Sequence, residues 1–351
     1  MRAAAIIPQS QGLYCYGFSP IFNILVLLCP VFSPIQQRLD DFRQQSRMQA
    51  GSLITTVFGD AVLPRGGRLW LGSLIRLLEP LGINERLVRT TVFRLVKDEW
   101  LCSEAQGRRT DYMLTLAGRR RFEEAARQIY AANAPLWDRR WRLVLVLGEL
   151  EPRQRERLRR ALFWQGFGEL DGSYFVHPSA DLRTAFDALI TEGMGELRTS
   201  LMPLLAANPH FGLSASDADI VQQAWNLEQL AASYTEFFAS YHPIVQALQQ
   251  DIHGELGDEN AFLLRTLLIH DYRRLLLRDP ELPEVLLPSG WPGHRARLLC
   301  KEIYQRLLLP SERHLDAHLH LANGDTPSSG AVLTQRFQVM DPLVPPPAPP
   351  T

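Results

Sequence analysis

The segment from Asn84 to Leu116 constrains the fold of this 351-residue chain more than any other. Gly82 and Ile83 form a turn that leads into Asn84, whose side chain can accept from a free backbone N–H, so a helix should begin there. Apolar side chains then recur at helical spacing, which predicts that one face of the helix packs on a core. They are Val88, Val92, Leu95 and Val96.

The opposite face of this predicted helix is unusually cationic. Glu85 is the only acidic residue on it before Asp98. Arginine suits contact with nucleic acid, because its planar guanidinium can bond bidentately to guanine edges and to phosphates. A solvated basic face on a small α+β domain is the alternative interpretation. The exposed set is expected to be Arg86, Arg89, Thr90, Phe93, Arg94 and Lys97.

A β-hairpin should follow the helix. Two short extended runs, 100–105 and 110–114, are joined by a Gly-containing turn that carries Arg108 and Arg109 at its tip. Upstream, helix 52–63, strand 68–71 and helix 72–81 complete a winged helix-turn-helix order, with the strand as a possible third strand of the wing. We therefore predict a DNA-binding domain over residues 48–132. Arg65, in the first turn, is expected to add a phosphate contact.

Composition bounds the class of protein. A hydrophobic fraction of 46%, a charged fraction of 21% and a net charge of −1 describe an ordinary globular chain with room for two or three domains. Charge is uneven, however: residues 52–121 carry twelve Lys and Arg against seven Asp and Glu. The four cysteines have no CxxC spacing, which argues against a zinc module or a disulfide framework and favours the cytoplasm.

Residues 1–47 do not match the rest of the chain. Residues 13–32 carry no charge, so a signal peptide or a membrane span is conceivable. Pro20, Asn23 and Pro30 interrupt this segment, and we favour a third interpretation, in which the native product starts nearer Val31 to Met48. Residues 35–48 are expected to form a short polar helix or a disordered lead-in. We expect no membrane association.

The middle of the chain alternates between strand and helix patterns. A buried strand at 141–147, a basic amphipathic helix at 152–163, two short strands within 167–176, a helix at 181–190 and a strand at 197–205 give a βαββαβ order. This order predicts a ferredoxin-like domain over residues 136–210, which by analogy of fold serves dimerisation or regulation. The basic helix could be a second DNA surface, but a solvated face is favoured.

The remainder is predicted to be helical. Helices are expected at 216–241, 244–253, 261–278 and 296–309, within an effector domain spanning 214–322. Residues 323–351 are rich in Gly, Ser and Pro and are expected to be a disordered tail. The predicted fold class is therefore α+β and multidomain, with an N-terminal winged helix-turn-helix, a ferredoxin-like centre and a mostly α-helical C-terminal part.

Catalytic and cofactor motifs are missing from the sequence, which contains no GxSxG, phosphate loop, HExxH or strand-linked GxGxxG. We expect no cofactor and no metal; the spacing of His314, His318 and His320 loosely suggests a metal site, but a surface cluster is favoured. An enzyme that handles a thioester through His270 and Asp271 is the alternative function, although no Cys or Ser nucleophile stands beside them.

A polar cluster interrupts the apolar helix predicted at 261–278. It is either an internal hydrogen-bonded network or the polar wall of an effector pocket. In the second interpretation, arginines would hold phosphates or a carboxylate, and aromatic and basic residues from the following loop would join them. The candidate effector-binding residues are His270, Tyr272, Arg273, Arg274, Trp291, His294 and Arg295.

Long ordered motifs resemble the PaaX family, the repressors of phenylacetic acid degradation operons. The resemblance implies a GntR-like winged helix, a ferredoxin-like middle and a helical C-terminal domain. It also implies a homodimer on palindromic promoter DNA that the inducer phenylacetyl-CoA releases. The motifs are SLITTVFGD (52–60), RGGRLWLGSLIRLLEPLGINERLVRTTVFRL (65–95), GRR (107–109), LWDRRW (136–141), FWQGFG (163–168), LLIHDYRR (267–274), DPELPEVLLPSGWPGH (279–294) and CKEIYQR (300–306).

The likeness assigns DNA contacts residue by residue but does not fix the effector site. The chain departs from the family at both ends, since members begin near the 35–48 helix and the C-terminal Pro-rich segment differs. No family motif identifies the residues that hold the effector. By the resemblance, the helix would contact DNA through Arg86, Arg89, Thr90, Arg94 and Lys97, and the wing through Arg108 and Arg109.

Overall fold

The computed structural model describes residues 33–207, 215–251, 255–330 and 332–338. The expectations for the uncharged segment 13–32, including an altered start, fall outside these ranges. So does the end of the Pro-rich tail, residues 339–351. Within the described ranges, no helix is both long and apolar enough to cross a membrane.

The N-terminal part has the predicted order of helices, strands and hairpin. β1 pairs with β3, and β3 with β2, all antiparallel, so the short strand does join the wing as its third strand. The elements are α1 (Ser33–Val57), a π-helical turn (Phe58–Val62), a 3-10 turn (Leu63–Arg65), β1 (Arg68–Trp70), α2 (Leu71–Leu78), a 3-10 turn (Glu79–Leu81), α3 (Glu85–Lys97), β2 (Leu101–Gln106), β3 (Arg109–Leu114) and α4 (Leu116–Ile129).

The first helix begins much earlier than predicted. α1 runs without a break from Ser33, so a helix start capped by Ser52 is wrong, and residues 35–47 are not a loose extension. The reason is an apolar stripe: Ile35, Leu39 and Phe42 recur at helical spacing and are buried in the same core as Leu53. The polar residues between them had concealed this stripe.

The central part is a four-stranded antiparallel sheet covered on one face by two helices. Its strand order, β5-β6-β4-β7, is that of the predicted ferredoxin-like domain. Phe175, Leu158 and Ala185 are among the residues that form its own core between sheet and helices. The elements are β4 (Trp141–Val146), α5 (Pro152–Trp164), β5 (Gly168–Leu170), β6 (Tyr174–His177), α6 (Leu182–Thr191), a 3-10 helix (Gly195–Ser200) and β7 (Leu201–Ala206).

The C-terminal part is helical, as predicted, but its helices divide differently. The helix expected at 216–241 is broken at Trp225, whose extended backbone lets its indole donate to the carbonyl of Gly166 in the central part. Asn226 then caps a new helix that continues through Pro243. The elements are α7 (Asp217–Ala224), α8 (Leu227–Gln250), α9 (Asp258–Leu276), a 3-10 turn (Glu284–Leu286), α10 (Pro292–His318) and α11 (Val332–Gln335).

The segment predicted as the start of a disordered tail is instead packed on the N-terminal part. The backbone N–H of Trp70 donates to His320, and that of Gly330 donates to Pro64, at 3.0 and 2.9 Å. Phe337 is fully buried against the rings of Tyr130 and Tyr304. Disorder over 323–330 and 332–338 is therefore wrong, because backbone hydrogen bonds and a buried aromatic ring hold these residues.

The N-terminal and C-terminal parts share one hydrophobic core, whereas the central part has one cluster of its own and shares a small second one with α7 and the loop after α9. At the centre of the shared core lies the buried carboxylate of Asp60. It accepts from Arg265 at 2.8 Å, Arg336 at 2.6 Å and the hydroxyls of Tyr130 and Tyr304 at 2.6 and 3.1 Å. The orientation of the helix-turn-helix is thereby tied to the C-terminal helices.

Candidate nucleic-acid interface

The helix α3 forms for the local reasons that the sequence supplies. The side chain of Asn84 accepts from the backbone N–H of Leu87 at 2.9 Å, which is the predicted N-cap. Gly82 adopts φ +77°, a conformation that glycine tolerates and that makes the turn from α2. Val88 and Val92 are fully buried, so the apolar stripe fixes which face of α3 turns outward.

The outward face of α3 carries the predicted cations. Arg89 forms an ion pair with Glu85 at 2.6 Å, and the hydroxyl of Thr90 donates to the carbonyl of Arg86. The positive charges of Arg86, Arg94 and Lys97 therefore dominate the electrostatic potential of this face. The exposed residues are Arg86, Arg89, Thr90, Phe93, Arg94 and Lys97.

The two arginines of the wing differ in their surroundings. Arg108 is exposed at the tip of the β2–β3 hairpin, next to Gly107 in the left-handed conformation that the turn requires. The guanidinium of Arg109 lies over the ring of Trp70, 4.6 Å from its centroid, and donates to the carbonyl of Ala322. Arg108 is thus the better placed of the two for a phosphate.

Arg65 cannot contact a phosphate in this conformation, which corrects the prediction for it. Its side chain is fully buried, and its guanidinium pairs with Glu312 at 2.6 Å and Asp316 at 2.8 Å. It also donates to the carbonyl of Pro327. The turn packs against α10, so the charge of Arg65 is used to join the N-terminal and C-terminal parts.

The basic helix α5 has local partners for several of its arginines. Glu156 pairs with Arg159 and Arg160 within one turn of the helix, and Arg157 donates to the carbonyl of Glu192. These local pairs neutralise part of the positive charge of α5.

The polar cluster on α9 does not form one wall of a pocket. Successive helical residues point about 100° apart, which puts Tyr272 on the side of α9 opposite His270, so the four candidates cannot all face one cavity. His270 and Tyr272 are buried, and His270 lies edge-on to the ring of Phe42. Arg273 donates to the hydroxyl of Ser52 at 2.6 Å and therefore braces α1. Arg274 is exposed and lines a different cavity, beside α1 and α8.

Trp291, His294 and Arg295 do line a common cavity of about 440 Å³ at the linker that follows α4. His294 lies 3.2 Å from Glu284, and the guanidinium of Arg295 lies over the ring of Phe238 at 4.3 Å. A cavity of this size, with aromatic and cationic walls, can hold part of a large aromatic anion.

Two acidic residues of this cavity were not singled out from the sequence. Asp279 accepts from the hydroxyl of Tyr234, and Glu281 accepts from Gln128 of α4 at 2.9 Å. Burial raises the pKa of both carboxyls, and Asp279 further raises that of Glu281. Glu281 also has φ +52°, a rare and costly conformation for a residue other than glycine. Both residues lie within DPELPEVLLPSGWPGH, one of the motifs that carry the family resemblance. This motif was the sequence signal from which they could have been identified.

Asp279 and Glu281 also border a second cavity, of about 430 Å³, between α4, the central part and the end of α9. The exposed rings of Phe163 and Trp164 line it, and so does His177. Burial lowers the pKa of His177 to about 4, and its Nδ1 accepts from the backbone N–H groups of Ser179 and Ala180. The two cavities meet at the segment where all three parts of the chain come together.

The thioester-enzyme alternative finds no support in these contacts. Asp271 accepts from Arg38 and from the hydroxyl of Tyr241, so it serves to hold α1 and α8 against α9. Burial lowers the pKa of His270 to about 4. In the described part of the chain, no three His, Cys, Asp or Glu side chains come together as a metal site would require. His314 and His318 stack on each other.

Comparisons with known proteins agree along the length of the chain. Family models match residues 49–118 (PaaX-like protein), 134–203 (PaaX protein central Cas2-like domain) and 225–317 (PaaX-like protein C-terminal domain). The chain is 38% identical over 307 residues to the transcriptional repressor PaaX of Escherichia coli strain K12, covering 86% of this chain and 95% of the relative.

Among solved structures, the uncharacterized protein Rv0674 from Mycobacterium tuberculosis matches with a TM-score of 0.44 and 21% identity. The match covers 68% of this chain and 88% of that one. The identity to the curated repressor extends through all three parts described above. The chain therefore belongs to the PaaX family of transcriptional repressors.

Proposed function

We propose that this protein represses genes of phenylacetate catabolism by binding double-stranded operator DNA in the cytoplasm, and that phenylacetyl-CoA releases it. The observation that carries the proposal is the solvent-exposed cationic face of α3, with Arg86, Arg94 and Lys97 beside the wing arginine Arg108. A recognition helix enters the major groove, and a flanking hairpin can meet the backbone. Repression follows because a bound dimer would block a promoter.

Substitution of Arg89 tests the DNA-binding half of this proposal. Arg89→Ala should weaken binding to a selected duplex by roughly 1–3 kcal/mol if the guanidinium contacts a base edge. The pair with Glu85 is exposed and contributes little, so the fold should survive the change. Binding is measured by fluorescence anisotropy, with thermal unfolding as the check on folding. Unchanged affinity would exclude α3 as the recognition helix.

The inducer is proposed to occupy the cavity lined by Trp291, His294 and Arg295. A CoA thioester offers an aromatic acyl group, an adenine and phosphates, which fit aromatic and cationic walls. The cavity adjoins Pro135, in the linker after α4, and Glu281, which is bonded to α4 itself. A ligand there would act on the support of the DNA-binding part. To induce, it must bind the DNA-free conformation more tightly.

Trp291→Ala tests this location for the inducer. The variant should lose most of the stabilisation that phenylacetyl-CoA gives to the wild-type protein in a thermal-shift assay, while operator binding stays intact. Arg274→Ala is the matched control, because Arg274 was in the same candidate set but lines a different cavity. If Arg274→Ala abolishes the shift and Trp291→Ala does not, the inducer binds elsewhere.

A homodimer is proposed to form through an exposed patch on one face of the central sheet. α5 and α6 cover the other face. On the patch face, α7 and the 3-10 turn Glu284–Leu286 pack beside Trp141 and Val176. In the remaining part, Leu145 pairs across the strands with Tyr174 and Met202, and Leu143 pairs with Leu204. Tyr174, Met202 and Leu204 are exposed. Such a contiguous apolar patch typically marks an interface, and an antiparallel sheet face is suited to a second copy.

Charge substitution on β7 tests the dimer surface. Met202→Lys should shift the protein toward monomers in sedimentation velocity and weaken binding to a palindromic duplex. Leu205→Lys is the control, since Leu205 is also exposed on β7 but points to the opposite face. Equal effects of the two changes would contradict this interface.

A further inference from the structure

One residue on the outward face of α3 does not fit a purely electrostatic surface. The ring of Phe93 is 69% exposed. Thr90 lies about one turn before it and Lys97 one turn after it, so the ring sits within the cationic face. Single exposed apolar residues are common, so exposure alone means little. The position of Phe93 among groups suited to DNA is what requires an explanation.

Phe93 contributes little to the fold. Val88, Thr91 and Val92 make the buried contacts of α3, and the ring of Phe93 points away from them. A large aromatic side chain in water exposes apolar surface, which is unfavourable in free energy. Contact with a partner would bury this surface and remove that unfavourable contribution. The flanking cations indicate that this partner is an anionic polymer.

The major groove of DNA presents one prominent apolar feature, the C5-methyl group of thymine. Phenylalanine has no hydrogen-bond donor or acceptor, so it cannot bond to guanine, adenine or cytosine edges. It can pack on the methyl group and exclude water there. Arginine on the same face supplies phosphate and guanine contacts but cannot distinguish thymine in this way.

We propose that Phe93 selects a thymine in the operator half-site by packing its ring on the C5-methyl group. The inference rests on the proposed DNA-binding function and adds to it the base preference of one position. Phe93 lies seven residues after Arg86, which is about 10 Å along the helix axis. The selected thymine should therefore lie within about three base pairs of the position that Arg86 contacts, at ~3.4 Å per base pair.

The test compares thymine with uracil, which lacks only the methyl group. A duplex is first selected from a random pool by repeated binding to the purified full chain. The duplex is then prepared with thymine or with uracil throughout. Dissociation constants are measured for wild type and Phe93→Ala on both duplexes. Wild type should bind the uracil duplex about ten- to twenty-five-fold more weakly, as expected for loss of one buried methyl contact in each of the two half-sites.

Phe93→Ala should bind the thymine duplex more weakly and should lose this preference, so that its two constants are nearly equal. Single thymine-to-uracil changes should then locate the penalty at one position per half-site. Leu309→Ala is the matched control, because Leu309 is equally exposed, at 69%, on α10. It should bind both duplexes as wild type does. Thermal unfolding of Phe93→Ala should match that of wild type.

Two outcomes would overturn the inference. Wild type could bind the thymine and uracil duplexes equally, which would show that no methyl group is read. Phe93→Ala could keep the full uracil penalty, whether or not both duplexes are bound more weakly, which would assign the methyl contact to another group. In both cases wild type still binds a selected duplex, and the proposed function stands. If selection with wild type enriches no duplex, the proposed function fails and the role of Phe93 fails with it.

Discussion

Asp60 and Arg265 form a buried ion pair across 205 positions of sequence, with Nε of the arginine 2.8 Å from Oδ2 of the aspartate. Asp60 lies in the π-helical turn of the N-terminal part, and Arg265 lies in α9. Arg336, from the C-terminal segment, completes the neutralisation of the same carboxylate at 2.6 Å. The N-terminal part and the helical C-terminal part are therefore held together by charge as well as by apolar packing.

Removing either member of this pair should destabilise the protein strongly. Asp60→Asn leaves two buried guanidinium groups without their carboxylate, and losing one partner of a buried pair typically costs about 3–5 kcal/mol. The free energy of unfolding in urea measures this loss. Arg313→Ala provides a contrast, because its pair with Asp258 is exposed to solvent and should contribute little to stability. An Asp60→Asn variant as stable as wild type would contradict the account.

The arginines of α3 and of the wing tip should differ in how they affect binding. Arg108→Ala should weaken all duplexes about equally and lower the salt slope by about one, as loss of a phosphate contact does. Arg89→Ala should reduce discrimination between sequences. Arg160→Ala should change neither, since Arg160 lies on α5 of the central part and not on α3 or the wing. Titrations at several salt concentrations separate the three results, and a loss with Arg160→Ala would point to a second DNA surface.

Arg65→Ala should behave as a stability variant. The guanidinium is buried against Glu312 and Asp316, so its removal breaks both ion pairs and leaves Glu312 paired with Arg265 alone. We expect a loss of several kcal/mol in the free energy of unfolding. Measured where the variant is still folded, its salt slope for DNA binding should equal that of wild type. A slope lowered by about one would restore Arg65 as a phosphate contact.

Stability should fall in mild acid because of two buried histidines. Burial lowers the pKa of both His177 and His270 from 6.5 to about 4. The unfolded chain therefore binds more protons than the folded chain between these values, and unfolding becomes easier as pH falls from 6.5 to 4. Each histidine should contribute a loss on the order of 3 kcal/mol over this range.

Chemical denaturation at a series of pH values checks this prediction. Above pH 7 the contribution of the two histidines to the free energy of unfolding should not change with pH. His177→Asn should flatten the curve between pH 6.5 and 4, because the amide can accept a hydrogen bond but does not titrate there. An unchanged slope in that variant would mean that His177 is not the group that titrates.

The sequence predicted those features that depend on neighbours along the chain. The cap at Asn84, the stripe of Val88 and Val92 and the hairpin around Gly107 are all set within a few residues, and the structure agrees with each. The βαββαβ order of the central part was predictable for the same reason, since each strand and helix has its own periodicity. Exposure of the cations on α3 followed directly from the stripe.

Features that depend on distant partners were missed. Arg65 looks like a surface cation until Glu312 is brought beside it, 247 positions away. The segment 323–338 has the composition of a loose tail, yet Phe337 and Arg336 find their partners in the shared core. The effector candidates on α9 failed as a set because adjacent positions on a helix face different neighbours.

Operator binding in the presence of phenylacetyl-CoA tests the proposed repressor and its proposed inducer together. Anisotropy of a selected duplex is measured with the purified chain at two salt concentrations, with phenylacetyl-CoA, with CoA alone, or with neither. If phenylacetyl-CoA is the inducer, the chain should bind the duplex tightly, and salt should weaken this binding. The thioester should abolish the binding, whereas CoA alone should leave it largely intact. Binding that the thioester leaves unchanged would contradict phenylacetyl-CoA as inducer, and no binding at either salt would contradict the repressor itself.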